Sequence, residues 1–202
     1  MNIPYLIEYL GLNLIAPRQG IRIVIAERRS LIFGFVTVLI AAIIESCVGS
    51  TVFVLKLLRH VPMVYAFAGP LVPTLAVLVG IFAVFLIWII TGGLVYLFAR
   101  LLGGKGDFEA TLAAGSLLWL PVFLLGLSGP IAAFVNYLAA IGLFLTLRCI
   151  AFVWGIVICC IALSEVHRFS VGRALLSMLL PVIVFMSFLL GLTVIPFMGV
   201  WW

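Results

Sequence analysis

Residues 71–99 read LVPTLAVLVGIFAVFLIWIITGGLVYLFA and contain no charged side chain. A helix needs about 20 apolar residues to cross a hydrocarbon core roughly 30 Å thick, so this stretch is long enough to span a bilayer. Pro70 and Pro73 open the stretch, and Arg100 followed by the glycine turn 103–106 closes it. The segment therefore predicts a transmembrane helix.

The rest of the chain has the same apolar character. Of its 202 residues, 67% are hydrophobic and 8% are charged, and the mean hydropathy is +1.47. Soluble proteins average about 25% charged residues, so this composition excludes a secreted enzyme, a nucleic-acid reader and a cytosolic binding module. The net charge of +5 comes from basic residues at the ends of apolar runs, which indicates membrane topology and no nucleic-acid partner.

Four further apolar stretches are separated by polar or Pro/Gly breaks. With residues 71–99 they predict an all-α fold, a polytopic membrane bundle of five transmembrane helices over residues 31–202. Residues 1–30 precede it as a cytoplasmic or interfacial segment. The five spans are Leu31 to about Leu58, Leu71 to Ala99, Ala110 to Leu127, one within Ile131 to Leu163, and Ala174 to about Met198.

The fourth stretch is longer than one span requires. About 33 helical residues would extend nearly 50 Å at roughly 1.5 Å per residue. The helix either tilts or divides at Arg148, and division would move the segment around Arg168 to the other side of the membrane. Charge counting favours five spans and therefore a single span in this stretch. Residues 131–147 are then the start of one long helix, or a partly re-entrant or interfacial lead-in.

The basic residues orient the bundle. With five spans and the N-terminus inside, eight basic residues are cytoplasmic and two are outside, which satisfies the positive-inside rule. We therefore expect a multi-pass protein of a cytoplasmic membrane, with its N-terminus in and its C-terminus out. The inner residues are Arg18, Arg22, Arg28, Arg29, Arg100, Lys105, Arg168 and Arg173, the outer ones are Lys56 and Arg59, and Arg148 lies within the membrane.

Three arginines ahead of the first span are spaced as on one helix face. Arg18, Arg22 and Arg29 follow at intervals of four and seven residues within residues 17–29. Such a stripe suits the cytoplasmic headgroup layer, where each basic residue near an anionic surface gains about 1 kcal/mol. A positive flank that only sets the orientation explains it equally well.

Two charged residues fall inside apolar stretches. Glu45 lies in the first span and Arg148 in the fourth, and a charge at the bilayer centre costs roughly 3 kcal/mol. They could pair across a helix interface or line a polar path, with Glu45 as a proton or cation site. Otherwise Glu45 is protonated or structural and Arg148 snorkels to an interface. The polar path would indicate a lipid or small-solute transporter or scramblase, and five spans would then require an oligomer.

The chain shows no catalytic signature. A Walker A loop needs a glycine six residues before its lysine and a Ser or Thr after it, but Lys105 has Ala99 and Gly106 at these positions. The two histidines, His60 and His167, lie at opposite span ends, so they do not form a catalytic pair or a metal site. We expect no enzymatic activity, no cofactor and no metal.

Two loop sequences carry a family resemblance. Residues 103–111 read GGKGDFEAT before the third span, and residues 165–174 read EVHRFSVGRA before the fifth. They resemble the Yip-domain family, the Ypt/Rab-interacting membrane proteins. Members show a GGKG-x-[FY] turn before the third span and a G-x-x-x-x-H-x-[LF]-[ST]-x-x-x-A loop between the fourth and fifth. The second loop matches at the His, Phe, Ser and Ala positions, and residues 14–22, with Pro17-Arg18, are similar to the segment before the first span of prokaryotic members.

The resemblance covers roughly residues 14–195 and implies a five-span protein. Eukaryotic members look like adaptors that recruit Rab-type GTPases and shape Golgi and endoplasmic-reticulum membranes, and they carry a long cytoplasmic N-terminal region. About 30 residues stand there in this chain, so we expect a bacterial or archaeal member.

The two motif loops are expected on one cytoplasmic surface. We expect a membrane adaptor or organiser that binds a protein partner at this surface. The other expected partners are the lipid bilayer and a second copy of the chain. Turn geometry is the alternative reading, since the glycines can end a helix and Asp107 can cap the next. The contact candidates are Lys105, Asp107, Glu109, His167 and Arg168.

Overall fold

Every regular element of the computed structural model is helical over the residues that it describes, which are 3–46, 71–122 and 137–198. A 3-10 turn at Leu120–Val122 follows the fifth α-helix. This confirms the all-α class of a membrane helical protein. The α-helices in these ranges are α1 Ile3–Ile15, α2 Pro17–Ala26, α3 Ser30–Glu45, α4 Leu71–Leu101, α5 Phe108–Ser116, α6 Tyr137–His167 and α7 Val171–Met198.

Two helices of the described residues are long and apolar enough to cross a membrane. They are Val77–Leu101 within α4 and Ile141–His167 within α6. α6 continues through Arg148 without a break, so the fourth stretch is one helix from residue 137 onward, and residues 131–136 lie outside the described residues. Its 31 residues measure about 46 Å at roughly 1.5 Å each, so it must tilt or extend beyond the hydrocarbon core.

The other predicted spans are covered in part. α3 carries 16 residues of the first span, and the remainder, with Lys56, Arg59 and His60, lies outside the described residues. α7 covers the fifth span with 28 residues. The count of five spans stays a prediction.

The α-helix of the third predicted span ends earlier than the sequence predicts. α5 ends at Ser116 and passes through a turn into the 3-10 segment at Leu120–Val122. Pro121 explains this end, because a proline ring clashes with the carbonyl four residues earlier and cannot donate a helical hydrogen bond. Residues 123–130 lie outside the described residues.

The short helix α5 lies at the centre of the bundle. Six of its residues are buried, and it contacts α3, α4 and α6. Small side chains permit this position: a Cβ built on Gly34 of α3 would lie 3.3 Å from Ala113 Cα, and one on Gly92 of α4 would lie 2.5 Å from a Leu112 methyl carbon. Close approach over small residues is a common way for helices to associate in membranes.

Large apolar side chains cover the outside of α4 and α7. Phe82 and Leu78 on α4, and Val182 and Ile183 on α7, are all more than half exposed. A water-soluble protein rarely exposes so continuous an apolar surface. These faces are therefore the lipid-facing surface of the bundle.

The N-terminal helices form a hairpin that packs on α6. Tyr9 of α1 donates its hydroxyl to Glu27 Oε1 at 2.6 Å, and this hydrogen bond raises the pKa of the Tyr9 phenol. Asn13 is fully buried and donates to Tyr9 O at 2.8 Å. A Cβ on Gly20 of α2 would lie 2.5 Å from Asn13 Cγ, so glycine is required for the two helices to meet.

The spacing predicts three arginines on one helix face, but only two of them lie on α2. α2 ends at Ala26, and Arg28 takes a left-handed conformation with φ of 53°. The chain turns there, so Arg29 leaves the helix and pairs with Glu27 at 3.3 Å. Arg18 and Arg22 remain on the helix.

Candidate functional site

The two motif loops begin at helix ends of the same geometry. α4 ends in a Schellman motif, in which Gly103 has a φ of 85° and Gly104 N–H donates to Ala99 O at 2.8 Å. α6 ends in the same way, with Arg168 at a φ of 54° and Phe169 N–H donating back into the helix at 3.2 Å. The first end has the usual glycine, whereas the second has an arginine in a conformation that side chains disfavour.

The glycines of the GGKG turn leave room for the end of α6. A Cβ built on Gly104 would lie 2.5 Å from His167 Nδ1, and one on Gly106 would lie 2.5 Å from a Val166 methyl carbon. Lys105, between them, donates its backbone N–H to His167 O at 3.2 Å. The turn therefore lies directly against the second motif loop.

His167 connects the two loops through both of its ring nitrogens. Gly106 N–H donates to Nδ1 at 3.2 Å, and Thr111 Oγ1 lies 3.0 Å from Nε2. Because the Thr111 hydroxyl donates its own proton to Asp107 O at 2.7 Å, Nε2 must supply the proton shared with Thr111. These contacts assign a neutral imidazole with its proton on Nε2.

The imidazole has no access to solvent. His167 is fully buried, and the rings of Phe169 and Tyr96 lie beside it with centroid distances of 5.3 and 6.5 Å. A buried polar ring is stable here because both nitrogens have partners. His167 thus joins the loops from inside.

Asp107 starts the central helix. Its Oδ1 accepts the Ala110 N–H at 2.7 Å, and Glu109 follows in the first turn, where a carboxylate interacts favourably with the helix dipole. The ring of Phe108 meets Tyr96 edge to face with a centroid distance of 5.6 Å. Residues 107–109 of the first motif loop therefore orient α5 against α4.

The structure separates the five predicted contact residues into two groups. Lys105, Asp107, Glu109 and Arg168 are exposed, whereas His167 is buried. The backbone hydrogen bond between Lys105 N–H and His167 O places both loops at the same end of the bundle. We call this surface, formed by the four exposed residues, the loop face.

Two arginines of α2 extend the charged region beside the loop face. Arg22 contacts Glu165 through Nε at 2.8 Å and Nη2 at 2.7 Å, and Arg18 Nε lies 3.5 Å from the other carboxylate oxygen. Glu165 lies in the last turn of α6. Arg22 and Glu165 are 143 residues apart, so the pairing was not visible in the sequence.

Thr111 is the functional neighbour that sequence reasoning missed. In the sequence it is only the last residue of a motif, although its spacing of four from Asp107 places its hydroxyl over the Asp107 carbonyl in any helix that begins there. That spacing was the available signal. Its bond to His167 depends on the tertiary fold.

The two charged residues of the predicted first and fourth spans meet away from the loop face. Arg148 Nη1 lies 2.5 Å from Glu45 Oε1, so the pairing between the first and fourth spans that the sequence left as one alternative is present. A cavity of about 140 Å³ adjoins the pair and is lined by Glu45, Leu118, Trp119, Val122, Arg148, Ala151 and Phe152.

Comparison with known proteins agrees with the motif reading. A family model of the Yip1 domain matches residues 12–193. A search of the curated proteins and a search of the solved structures found no match. The matched range includes both motif loops, α2 and the Glu45–Arg148 pair.

Proposed function

Because the chain belongs to the Yip1 domain family, we propose that it is a non-enzymatic membrane adaptor or organiser that binds a protein partner through the loop face. The family is generally made up of non-enzymatic membrane proteins, and its members interact with membranes and with Rab/Ypt proteins. The loop face carries both charge signs, through Lys105 and Arg168 and through Asp107 and Glu109. A partner surface of mixed charge would complement it.

One observation carries this proposal: the four charged side chains of the loop face stay exposed while His167 holds the two loops together from inside. Arg168 supports it further, since a non-glycine residue at a φ of 54° costs roughly 1 kcal/mol relative to glycine. A residue that only ended the helix would be better as glycine. The arginine therefore favours a role for its charge.

The proposal includes an orientation and a compartment. The loop face is cytoplasmic, with the N-terminus inside and the C-terminus outside, because the basic residues concentrate on that side. The membrane is the cytoplasmic membrane of a prokaryote. A second copy of the chain is the other partner that the bundle would meet there.

Co-purification in native membrane discs tests the adaptor role. The disc is purified around the parent protein and around the triple variant Lys105→Ala, Glu109→Ala, Arg168→Ala, and proteins held in fixed ratio are identified by mass spectrometry. We expect the parent to hold a partner that the triple variant loses. Ile183→Ala, on the lipid-facing surface of α7, is the matched control and should keep it.

A triple variant that inserts normally and retains every partner of the parent would contradict the proposal. His167→Ala is unsuitable for this test, because removing a buried residue that joins the loops would disturb the fold itself.

The Glu45–Arg148 contact favours a second candidate function, a lipid or small-solute transporter or scramblase. A paired charge next to a cavity within the bundle is a feature of many transport pathways. The test is flux in liposomes: the parent should move lipid or solute faster than protein-free vesicles, and Glu45→Gln should abolish the difference. Parent flux equal to that of protein-free vesicles would end this candidate.

A further inference from the structure

The Glu45–Arg148 pair has hydrogen-bonding capacity that the pair itself does not use. Glu45 Oε1 contacts Arg148, but Glu45 Oε2 is buried and has no hydrogen-bond partner in the described part of the chain. The Arg148 side chain is 49% exposed, and its guanidinium has five N–H donors. A buried carboxylate oxygen without a donor is costly, so a ligand that supplies one would stabilise the site.

The cavity beside the pair lies far from the loop face. Glu45 is about 22 Å along α3 from Ser30, and Arg148 is about 28 Å along α6 from His167, at roughly 1.5 Å per residue. Since the hydrocarbon core is about 30 Å thick, the pair lies near the opposite headgroup layer. Trp119 and Phe152 line the cavity, and tryptophan is enriched at that depth.

The chemistry of the pair selects the ligand. A simple anion would bind Arg148 but would face the Glu45 carboxylate, and a simple cation would face Arg148. A molecule that carries an ammonium group and an anionic oxygen satisfies both. The ammonium must also bear N–H groups, because a trimethylammonium group cannot donate to Glu45 Oε2.

From this geometry we infer that the cavity binds the headgroup of a phospholipid with a primary ammonium and a phosphate, such as phosphatidylethanolamine. The ammonium donates to the Glu45 carboxylate, which rotates to turn Oε2 toward the cavity, and the phosphate accepts from the exposed N–H groups of Arg148. The inference uses the same pair as the transport candidate but concerns equilibrium binding, whereas transport is tested by flux, so each can fail separately. It is independent of the loop face.

Lipid titration with native mass spectrometry tests this site. The purified protein is titrated with phosphatidylethanolamine, phosphatidylcholine and phosphatidylglycerol of identical acyl chains. We expect phosphatidylethanolamine to bind about tenfold more tightly than either of the others, the factor of one additional hydrogen bond to a charged group. Glu45→Gln should bind the three lipids about equally. Thr146→Val, an exposed change in the same helix, should keep the preference.

Two results would overturn the inference: equal binding of the three lipids to the parent, or an unchanged preference in Glu45→Gln. If Glu45→Gln does not fold, the double variant Glu45→Gln with Arg148→Gln leaves no unpaired charge at the cavity and should also lose the preference. Soluble glycerophosphoethanolamine, added as a competitor of phosphatidylethanolamine, shows whether the site takes a membrane lipid or a soluble molecule with the same headgroup. Failure to compete supports a membrane lipid, and competition at equal concentration overturns the lipid source in favour of a soluble zwitterion.

Discussion

His167 has no surface and no spare hydrogen-bonding atom, so its contribution is to stability. Its two ring nitrogens bond to groups on two different segments, Gly106 and Thr111, and its backbone oxygen bonds to Lys105. Removing the ring leaves the Gly106 N–H without its acceptor and the Thr111 hydroxyl without its donor, and it creates a cavity. The residue thus holds the loop face in shape without belonging to it.

His167→Ala should lower the free energy of unfolding by about 3–5 kcal/mol, because the loss of a large buried side chain and of buried hydrogen bonds act together. The midpoint of unfolding in detergent measures this effect. Lys105→Ala, an exposed change in the contacting turn, should stay within about 0.5 kcal/mol of the parent. Equal midpoints for the two variants would show that the ring is not a structural connection.

Gly104→Ala and Gly115→Ala should act in opposite directions. A Cβ at residue 104 would lie 2.5 Å from His167 Nδ1 and 2.8 Å from Ala99 O, so we expect a loss of about 1–3 kcal/mol. At Gly115 no atom outside the neighbouring residues and the helix's own backbone lies within 4 Å of the added Cβ, so we expect a gain of up to about 1 kcal/mol from helix propensity. Thermal unfolding of both variants checks the two signs, and two losses of equal size would contradict the packing argument.

Arg168→Gly should separate stability from function. Glycine relieves the left-handed strain, so the free energy of unfolding should rise by about 0.5–1 kcal/mol. The same change removes one charge of the loop face, so partner retention in native discs should fall. A variant that is stabilised and retains its partner in full would remove Arg168 from the proposed contact.

At the scale of elements, apolar burial holds α2 on α6 more strongly than its ion pairs do. Ile21 and Val24 are almost fully buried, and each contributes roughly 1.5–3 kcal/mol. The Arg22 side chain is 69% exposed, and its pair with Glu165 is worth at most about 1 kcal/mol. Glu165 therefore orients the helix, and the apolar side chains attach it.

Amide hydrogen exchange of α2 tests this order of effects. Glu165→Ala should change the protection of α2 amides by less than about tenfold, since the lost pair is worth under about 1.4 kcal/mol. Ile21→Ala should reduce protection by more than about tenfold, because a large buried side chain is lost. Equal loss of protection in the two variants would mean that electrostatics attaches α2.

At the scale of the whole molecule, the fold places Lys105 and Arg168 at the same end of the bundle whichever way the protein is oriented. The backbone hydrogen bond from Lys105 N–H to His167 O holds the two loops together at that end. Charge alone predicts that this end is cytoplasmic.

A membrane-impermeant maleimide tests the orientation. Single cysteines are introduced by Lys105→Cys and Arg168→Cys in a background without the native cysteines, and labelling is compared in intact cells and in inverted vesicles. We expect both positions to react only in inverted vesicles. Labelling in intact cells would reverse the orientation, and labelling of the two on opposite sides would contradict the contact between the loops.

Composition and local spacing determined the membrane class, the helical fold, the two motif loops and the cap at Asp107. These properties follow from single residues or neighbours along the chain, since hydropathy adds along a helix and a cap forms within one turn. Helix ends were less predictable, as at Ala26 and Ser116, because a turn or a proline ends a helix that remains apolar beyond it.

Only the tertiary structure decided which polar groups meet. Glu45 and Arg148, Arg22 and Glu165, and Thr111 and His167 all lie on separate helices, and their pairing depends on how the backbones approach. Helices approach closely at small residues such as Gly34 and Ala113 between α3 and α5, and such residues are common throughout this chain, so they do not mark a helix crossing in the sequence. A buried histidine and an exposed one look alike until the packing that surrounds them is known.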